Sequence, residues 1–299
     1  MLESMCPLAR VMAAVEDALI VAGGLGTRMY PASAFLPKES LPLIDIPVLI
    51  HLAHEAKAAG VKRIHIISSP NKDLSPLLKD IRDLHSNRPE LDEKLFSSFS
   101  DIEIKVHIQQ QQLGLGDAIS CALDEINGPF LVLLGDNVIL DNHASTKDFT
   151  PSNASKILVQ CYEENNLPCG AILPVKQEDV CKYGVVELDG DRVTKVVEKP
   201  SVKDAPSNLV LCGRYLFTSD ARDLLENVYT AEKYGELQSI KLQNHWMNGK
   251  GFIGVRLEGF SWYDSGNPYS WLQAQVDHAL QRPDFSDDFR NWLESRLNT

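Results

Sequence analysis

The sequence predicts an α/β fold: a mixed, mainly parallel sheet flanked by helices. Three observations carry this expectation. Short apolar runs alternate with helix-patterned segments through the first half, a glycine cluster closes the first apolar run, and the second half switches to hairpin-like pairs. At 299 residues, 44% hydrophobic and 23% charged, the chain can bury the core of one large domain.

Ala18–Val21 reads as the first strand, a short apolar run ending in glycines. Pro47 to Ala59 reads as a helix, with proline at its first turn, apolar Val48, Leu49, Leu52, Ala53 and Ala56, and Gly60 as a stop. Ile64–Ser68 is the next strand, Asp73–Leu84 is helical in pattern, and Glu103–Ile108 is strand-like. Asp117–Glu125 suits a helix and Phe130–Leu134 a strongly apolar strand. Repeated β-α-β units of this kind form a parallel, Rossmann-like sheet covered on both faces. Gly184–Leu188 and Arg192–Glu198 flank an Asp-Gly-Asp turn and predict a β-hairpin insertion. Leu209–Phe217 follows as a strand, Asp220–Val228 as a helix, and Tyr269–Leu280 and Asp287–Leu297 as closing C-terminal helices. No repeat or low-complexity linker divides the chain. Residues 1–17 therefore read as an N-terminal extension and 18–299 as a single domain, with insertions covering the carboxyl edge of the sheet, where open α/β sheets bind ligands.

Composition narrows the function. A net charge of −12 argues against DNA or RNA as partners but leaves nucleotides open, since a phosphate site needs only a few local cations and backbone N–H groups. No apolar run approaches the roughly 20 residues of a membrane helix. The first 24 residues are interrupted by Glu3, Arg10, Glu16 and Asp17, unlike a signal peptide, so a cytoplasmic protein is expected; a start at Met12 is a second reading. Cys6, Cys121, Cys161, Cys169, Cys181 and Cys212 form no Cys-x-x-Cys pair and read as reduced, mostly buried thiols. Zinc wants clustered nitrogen and sulfur ligands, which the sequence does not display. His51 and His54 lie three apart on the first helix and read as a helix flank or a subunit contact.

The strongest chemical signal is VAGGLGTRMYPASAFLPKESLP, from Val21 to Pro42. Gly23, Gly24 and Gly26 permit positive φ and close backbone approach, so that consecutive N–H groups can face phosphates. Met29 stands where a dinucleotide fingerprint would place its last glycine, which disfavours an NAD-linked dehydrogenase. Arg28 and Lys38, ten residues apart on a loop stiffened by Pro31 and Pro37, suit a triphosphate. LLGDN is an apolar strand ending in Asp136, a carboxylate placed to hold Mg²⁺ or, alternatively, to cap the following loop.

The glycine segment resembles the signature of the sugar-1-phosphate nucleotidyltransferase family, most closely its bacterial-type UTP–glucose-1-phosphate uridylyltransferases, and later segments match in the same order. The similarity runs from about Asp17 to Leu280. It implies the nucleotide-diphospho-sugar transferase fold, with a nucleotide-binding half at about 18–140, a sugar-binding half at about 165–280 and closing helices at about 269–299. It implies that Ala22, Gly23, Gly24, Gly26 and Thr27 cradle the nucleotide, that Arg28 holds the triphosphate, and that Lys38 neutralises the reacting phosphates. Gln109 and Gly114, in IQQQQLGLGDA, fall where the family reads the base; read alone, that run is a solvated loop. Tyr183, Gly184, Glu198, Asn208 and Gly213 fall on the sugar side, and Lys199 on the sugar phosphate. A Glu-Lys pair on a hairpin is otherwise a solvated edge. Asp264, in WYDSGN, matches the second metal carboxylate beside Asp136, with Mg²⁺ as the implied cofactor.

The implied reaction joins UMP from UTP to glucose 1-phosphate and releases pyrophosphate, in a homo-oligomer without nucleic-acid or membrane partners. Apolar Trp271, Leu272 and Val276 in the closing helix fit an assembly surface or simply cover the core. Thymidylyl or other NTP and hexose-1-phosphate specificity on the same fold is the first alternative. A catalytically silent regulatory subunit is the second, although Arg28, Lys38, Asp136, Lys199 and Asp264 are all present. Two departures matter: the N-terminal extension and the acidic, Trp-containing C-terminal tail are not typical of the family, so its assembly does not carry over, and one internal segment differs. In GELQSIKLQNHW, from Gly235, Ile240 and Lys241 replace a Thr-Asp pair, which puts sugar selectivity in question.

Overall fold

The computed structural model describes residues 14–97 and 99–298, so the expected extension up to residue 13, with Cys6 and Met12, lies outside the described residues. The strands are β1 (Asp17–Val21), β2 (Pro42–Leu43), β3 (Ile46–Pro47), β4 (Arg63–Ser68), β5 (Glu103–Ile108), β6 (Phe130–Leu134), β7 (Asn137–Leu140), β8 (Cys169–Pro174), β9 (Gly184–Asp189), β10 (Arg192–Glu198), β11 (Leu209–Phe217), β12 (Ile253–Arg256) and β13 (Ser261–Asp264). Nine of them form one sheet in the order β5-β4-β1-β6-β11-β8-β12-β10-β9. The block β5-β4-β1-β6 is parallel throughout, as the β-α-β reading requires. β11 then runs antiparallel to both β6 and β8, and β9–β10 form the expected hairpin at the far edge.

Alternation along β1 shows how the sheet is covered. Ala18 and Ile20 face a core shared with the helices Val48–Ala58 and Ala154–Asn165, while Leu19 faces a second core with Leu115–Ser120 and Ile240–Met247. A buried ion pair ties the sheet to the two helices on the first of these faces. Arg214 on β11 donates from Nε and Nη2 to Glu55 on the helix Val48–Ala58 at 2.8 and 3.0 Å, and Ser155 Oγ donates to the same carboxylate at 2.6 Å. Arg214 Nη2 also donates to the carbonyl of Asn137 at 2.7 Å, and both charged residues are at most 2% exposed.

Two expectations change. Asp73–Leu84 is not one helix but two short turns, Ser75–Leu78 and Arg82–His85. Asp73 and Asp80 accept from the backbone N–H groups of Ser75 and Arg82, local bonds that compete with a helical ladder, and Pro76 removes a donor. Asp117–Glu125 is likewise a helix at Leu115–Ser120 followed by a tighter turn at Leu123–Glu125. The structure also adds β8, β12 and the helices Ala154–Asn165 and Ile240–Met247, for which the sequence reading has no counterpart.

Candidate active site

Beyond the carboxyl ends of β1 and β6 lies a cavity of about 590 Å³. Its wall includes Arg28, Asp136, Asp264, Tyr183, Gly184, Glu198, Lys199 and Gly213, so residues from six separated segments meet there.

The two aspartates meet through strand pairing. β7 begins immediately after Asp136, and it pairs antiparallel with β13 so that Asn137 stands opposite Asp264. The backbone N–H of Ser265 donates to the Asp136 carbonyl at 2.8 Å and fixes the register. Asp136 Oδ2 accepts from Lys38 Nζ at 2.6 Å, and its Oδ1 accepts from Asn137 Nδ2 at 2.9 Å. Trp262 Nε1 in turn donates to Asn137 Oδ1 at 2.6 Å. Asp264 Oδ1 accepts the Gly266 N–H at 2.6 Å. These environments separate the two acids. Burial alone would raise the Asp136 carboxyl, but the Lys38 ammonium, its own backbone bond and Arg28 hold it below the ordinary carboxylate range. Burial and the neighbouring Asp136 charge push Asp264 up, only partly offset by Gly266, Arg28 and Lys38. Two adjacent carboxylates, one of them short of a cation, form the oxygen-only donor set that a hard divalent ion prefers.

The glycine segment is braced from beneath. Lys72 Nζ donates to the Ala22 carbonyl at 2.6 Å and to both Glu39 oxygens at 2.9 and 3.0 Å, tying the glycine turn to the Lys38 turn. Gln112 Nε2 donates to the Gly23 carbonyl at 3.2 Å. Gly26 is left-handed at φ 66°, and a β-carbon there would press on Ser33 and Lys38 at 3.3 and 3.4 Å. Thr27 and Arg28 are exposed on the following turn, whereas Met29 is buried and anchors it. Gln109 is buried with its amide donating to Asp117 at 2.7 Å and to the Gly114 carbonyl at 3.2 Å. Its oxygen lies 2.9 Å from where a β-carbon on Gly23 would stand, so the glutamine faces the glycine turn.

On the opposite wall, Glu198 pairs across the hairpin with Gly184, and a β-carbon on Gly184 would come within 3.2 Å of the Glu198 carboxylate. Lys199 carries a left-handed backbone, φ 45°, held by its N–H bond to the Tyr183 carbonyl at 2.9 Å. A non-glycine residue in that region stores strain, a frequent mark of functional positions. Glu198 and Lys199 are well exposed and 3.6 Å apart, free to engage a ligand. Of the expected residues, Ala22, Gly23, Gly24, Gly26, Thr27, Lys38, Gln109 and Gly114 lie on or beside the glycine turn rather than in the wall of this cavity, and Asn208 lies outside it as well. The Asn208 amide donates to the Val175 carbonyl, and β11 carries it along to a neighbouring cavity beyond Tyr183 and Trp262. The divergent segment supplies Gln238, Ser239, Ile240 and Gln243 to the main cavity wall. Asn137, Trp262 and Ser265 organise the site without having been foreseen. Their one sequence signal is adjacency to the two aspartates.

The nucleotidyl transferase family profile matches residues 17–281. The chain belongs to the nucleotidyl transferase family. A UTP–glucose-1-phosphate uridylyltransferase of Streptococcus pyogenes is 31% identical over 300 residues, covering 94% of each chain. One of Staphylococcus epidermidis is 33% identical over 298 residues, covering 95% of this chain and 99% of the relative. A crystal structure of UDP-glucose pyrophosphorylase complexed with UDP-glucose superposes with a TM-score of 0.76 at 27% identity, covering 90% of this chain and 100% of the other. The nucleotidyltransferase fold expected from sequence is thus the fold observed, and the chain is a nucleotidyltransferase. No helix among the described residues is long and apolar enough to cross a membrane.

Proposed function

We propose that this nucleotidyltransferase transfers UMP from UTP to glucose 1-phosphate, giving UDP-glucose and pyrophosphate. One observation carries the reading: Arg28, Asp136, Asp264 and Lys199 line a single cavity between the glycine turn and the β9–β10 hairpin. The uridylyltransferase relatives and the UDP-glucose complex support the choice of substrates.

Two anions must approach each other here, and no protein nucleophile is required. Positioning and charge neutralisation suffice. The N–H groups of the glycine turn and the Arg28 guanidinium hold the triphosphate. The Gln109 oxygen, whose amide nitrogen is already engaged, accepts the uracil N3–H, and Gly114 lets the ring lie flat against backbone. Lys199 binds the glucose phosphate and aims an oxygen at the α-phosphorus, in line with the departing pyrophosphate. Glu198 and the Tyr183–Gly184 turn take sugar hydroxyls. Lys38 lies among the reacting phosphates. Asp136 and Asp264 would hold Mg²⁺, which when bound screens the α-phosphate and the sugar phosphate from each other. Residues of about 18–140 thus serve the nucleotide and about 165–280 the sugar, with the helices Pro268–Gln281 and Ser286–Leu297 closing the domain.

Pyrophosphate release measured with UTP, dTTP, ATP and CTP against glucose 1-phosphate tests the reading, and a preference for any nucleotide but UTP would overturn it. A homo-oligomer is part of the proposal. Trp271 is buried in the core, but Tyr269 and Leu272 on the same helix are 70% and 61% exposed. Light scattering reads the mass directly.

A further inference from the structure

On the sheet face away from the Glu55–Arg214 pair, three residues from distant parts of the chain converge. His65 lies on β4, His107 on β5 and Glu125 in the turn after the helix Leu115–Ser120, and one ligand atom of each lies within 4.8 Å of the others. None of the three lines the active-site cavity.

We propose that His65, His107 and Glu125 form a binding site for one Zn²⁺ ion, separate from the Asp136–Asp264 pair. The carboxylate behind the first ligand is the strongest support. Asp17, 1% exposed, is clamped by Arg63 at 2.6 and 2.9 Å and accepts from His65 Nε2 at 3.1 Å. A carboxylate on one imidazole nitrogen places the proton there and leaves the lone pair of the other facing the metal position, the usual arrangement behind metal-bound histidine. His65 is fully buried, and its Nδ1 faces His107 Nε2 at 2.9 Å. Without metal, His107 donates its Nε2–H to that lone pair. With metal, the His107 proton moves to Nδ1 and both facing nitrogens become ligands, so neither ring changes charge. Two nitrogens at about 2.0–2.1 Å from a tetrahedral ion stand roughly 3.4 Å apart, which asks the half-buried His107 ring to retreat by about half an ångström.

Glu125 supplies the third ligand from the solvent side, where it is ion-paired with Lys105, and water completes the shell. Two imidazoles and a carboxylate favour Zn²⁺ over Mg²⁺, which prefers oxygen alone. The sequence does not display this site because its ligands are 42 and 18 residues apart along the chain. The parallel pairing of β4 with β5 and the return of the chain through Leu115–Ser120 bring them together. The ion would close a ring around residues 107–125, which carry Gln109 and Gly114.

The test is calorimetric titration of Zn²⁺ into the full chain with Mg²⁺ in excess, alongside thermal melting with and without Zn²⁺. The expected result is one Zn²⁺ per chain and a raised melting temperature. Both should be weakened at least ten-fold in affinity, or abolished, in H107Q and in E125Q, the two partly exposed ligands. D264N, and H143Q at the other histidine pair (His143 Nδ1 to His278 Nδ1, 2.7 Å), should leave them unchanged. Co²⁺ in place of Zn²⁺ should give the intense visible band of a tetrahedral site in the wild type and in D264N, but not in H107Q. The proposal is overturned if wild type and H107Q bind Zn²⁺ alike, if uptake follows Asp264 instead, or if the wild type takes up none. E125Q decides the matter should H107Q melt early without metal.

Discussion

Glu55→Gln keeps the shape of the buried pair and removes one charge. In the native protein the Arg214 guanidinium, 0% exposed, donates twice to Glu55 at 2.8 and 3.0 Å, once to the Asn137 carbonyl at 2.7 Å and once to the Gly213 carbonyl at 3.3 Å. After substitution the cation retains two backbone carbonyls and a neutral amide, and its full burial keeps bulk solvent from replacing the lost charge. Breaking a buried pair from one side costs about 3–5 kcal/mol. At roughly 2–3 °C per kcal/mol for a chain of this size, the melting temperature should fall by about 6–15 °C. Because Arg214 holds the Asn137 carbonyl next to Asp136, the folded variant should also need more Mg²⁺ for half-maximal rate, while its KM for UTP changes less. The double variant Glu55→Leu with Arg214→Met removes both charges and should recover much of the loss, giving a favourable coupling in a double-mutant cycle. Calorimetry or circular dichroism on Glu55→Gln and on the four proteins of the cycle (wild type, Glu55→Leu, Arg214→Met and the double variant) reads the result. A drop of under 2 °C for Glu55→Gln, or strictly additive single losses, would refute the reasoning.

Lys199→Ala should raise the KM for glucose 1-phosphate and lower kcat/KM by about ten- to a hundred-fold, the scale of one charge-assisted phosphate contact of roughly 1.5–3 kcal/mol; a change confined to the UTP KM would move the lysine to the triphosphate site. Asp264→Asn should lose most of the rate at saturating substrates and weaken Mg²⁺ binding, whereas near-normal metal-dependent turnover would place the metal elsewhere. Gly114→Ala asks a residue at φ 100° to carry a β-carbon 2.4 Å from the Leu237 carbonyl oxygen, so steady-state kinetics should show weakened UTP binding, and unfolding a stability loss of about 1–3 kcal/mol. Burial holds His51 and His278 at pKa values of about 3 and His54 at about 4. Their folded values lie below the unfolded value near 6.5, so the stability they contribute is full above that pH. It falls as the pH drops toward 4, by about 1.4 kcal/mol per unit for each. A urea midpoint unchanged between pH 7 and pH 5.5 would contradict this.

What the sequence disclosed was local. The apolar run Phe130–Leu134 announces both a buried strand and, at its end, the carboxylate of Asp136. The glycine segment and its two cations are likewise contiguous. The helical pattern at Asp73–Leu84 misled because side-chain capping by Asp73 and Asp80 is invisible to hydrophobic periodicity. Long-range pairing was the larger blind spot. Nothing in WYDSGN states that β13 will lie on β7, yet that register sets Asp264 beside Asp136 and brings Trp262 onto Asn137. Asn208 shows the converse. It sits near Gly213 in sequence, but β11 carries the two residues to different cavities, separated by Tyr183 and Trp262.

The 2.6 Å bond between Lys38 and Asp136 means that one carboxylate of the proposed metal pair is already spoken for. An incoming dication competes with an ammonium group, so its apparent affinity is reduced by the free energy of parting that pair. A triphosphate that draws Lys38 toward itself removes the competitor. In the proposed site, nucleotide and metal would therefore be thermodynamically linked through one side chain, and the linkage would be reciprocal: whatever factor UTP adds to the affinity for Mg²⁺, Mg²⁺ would add to the affinity for UTP. Replacing Lys38 by a neutral residue would uncouple the two equilibria, giving tighter metal binding to the empty enzyme and a smaller response to nucleotide.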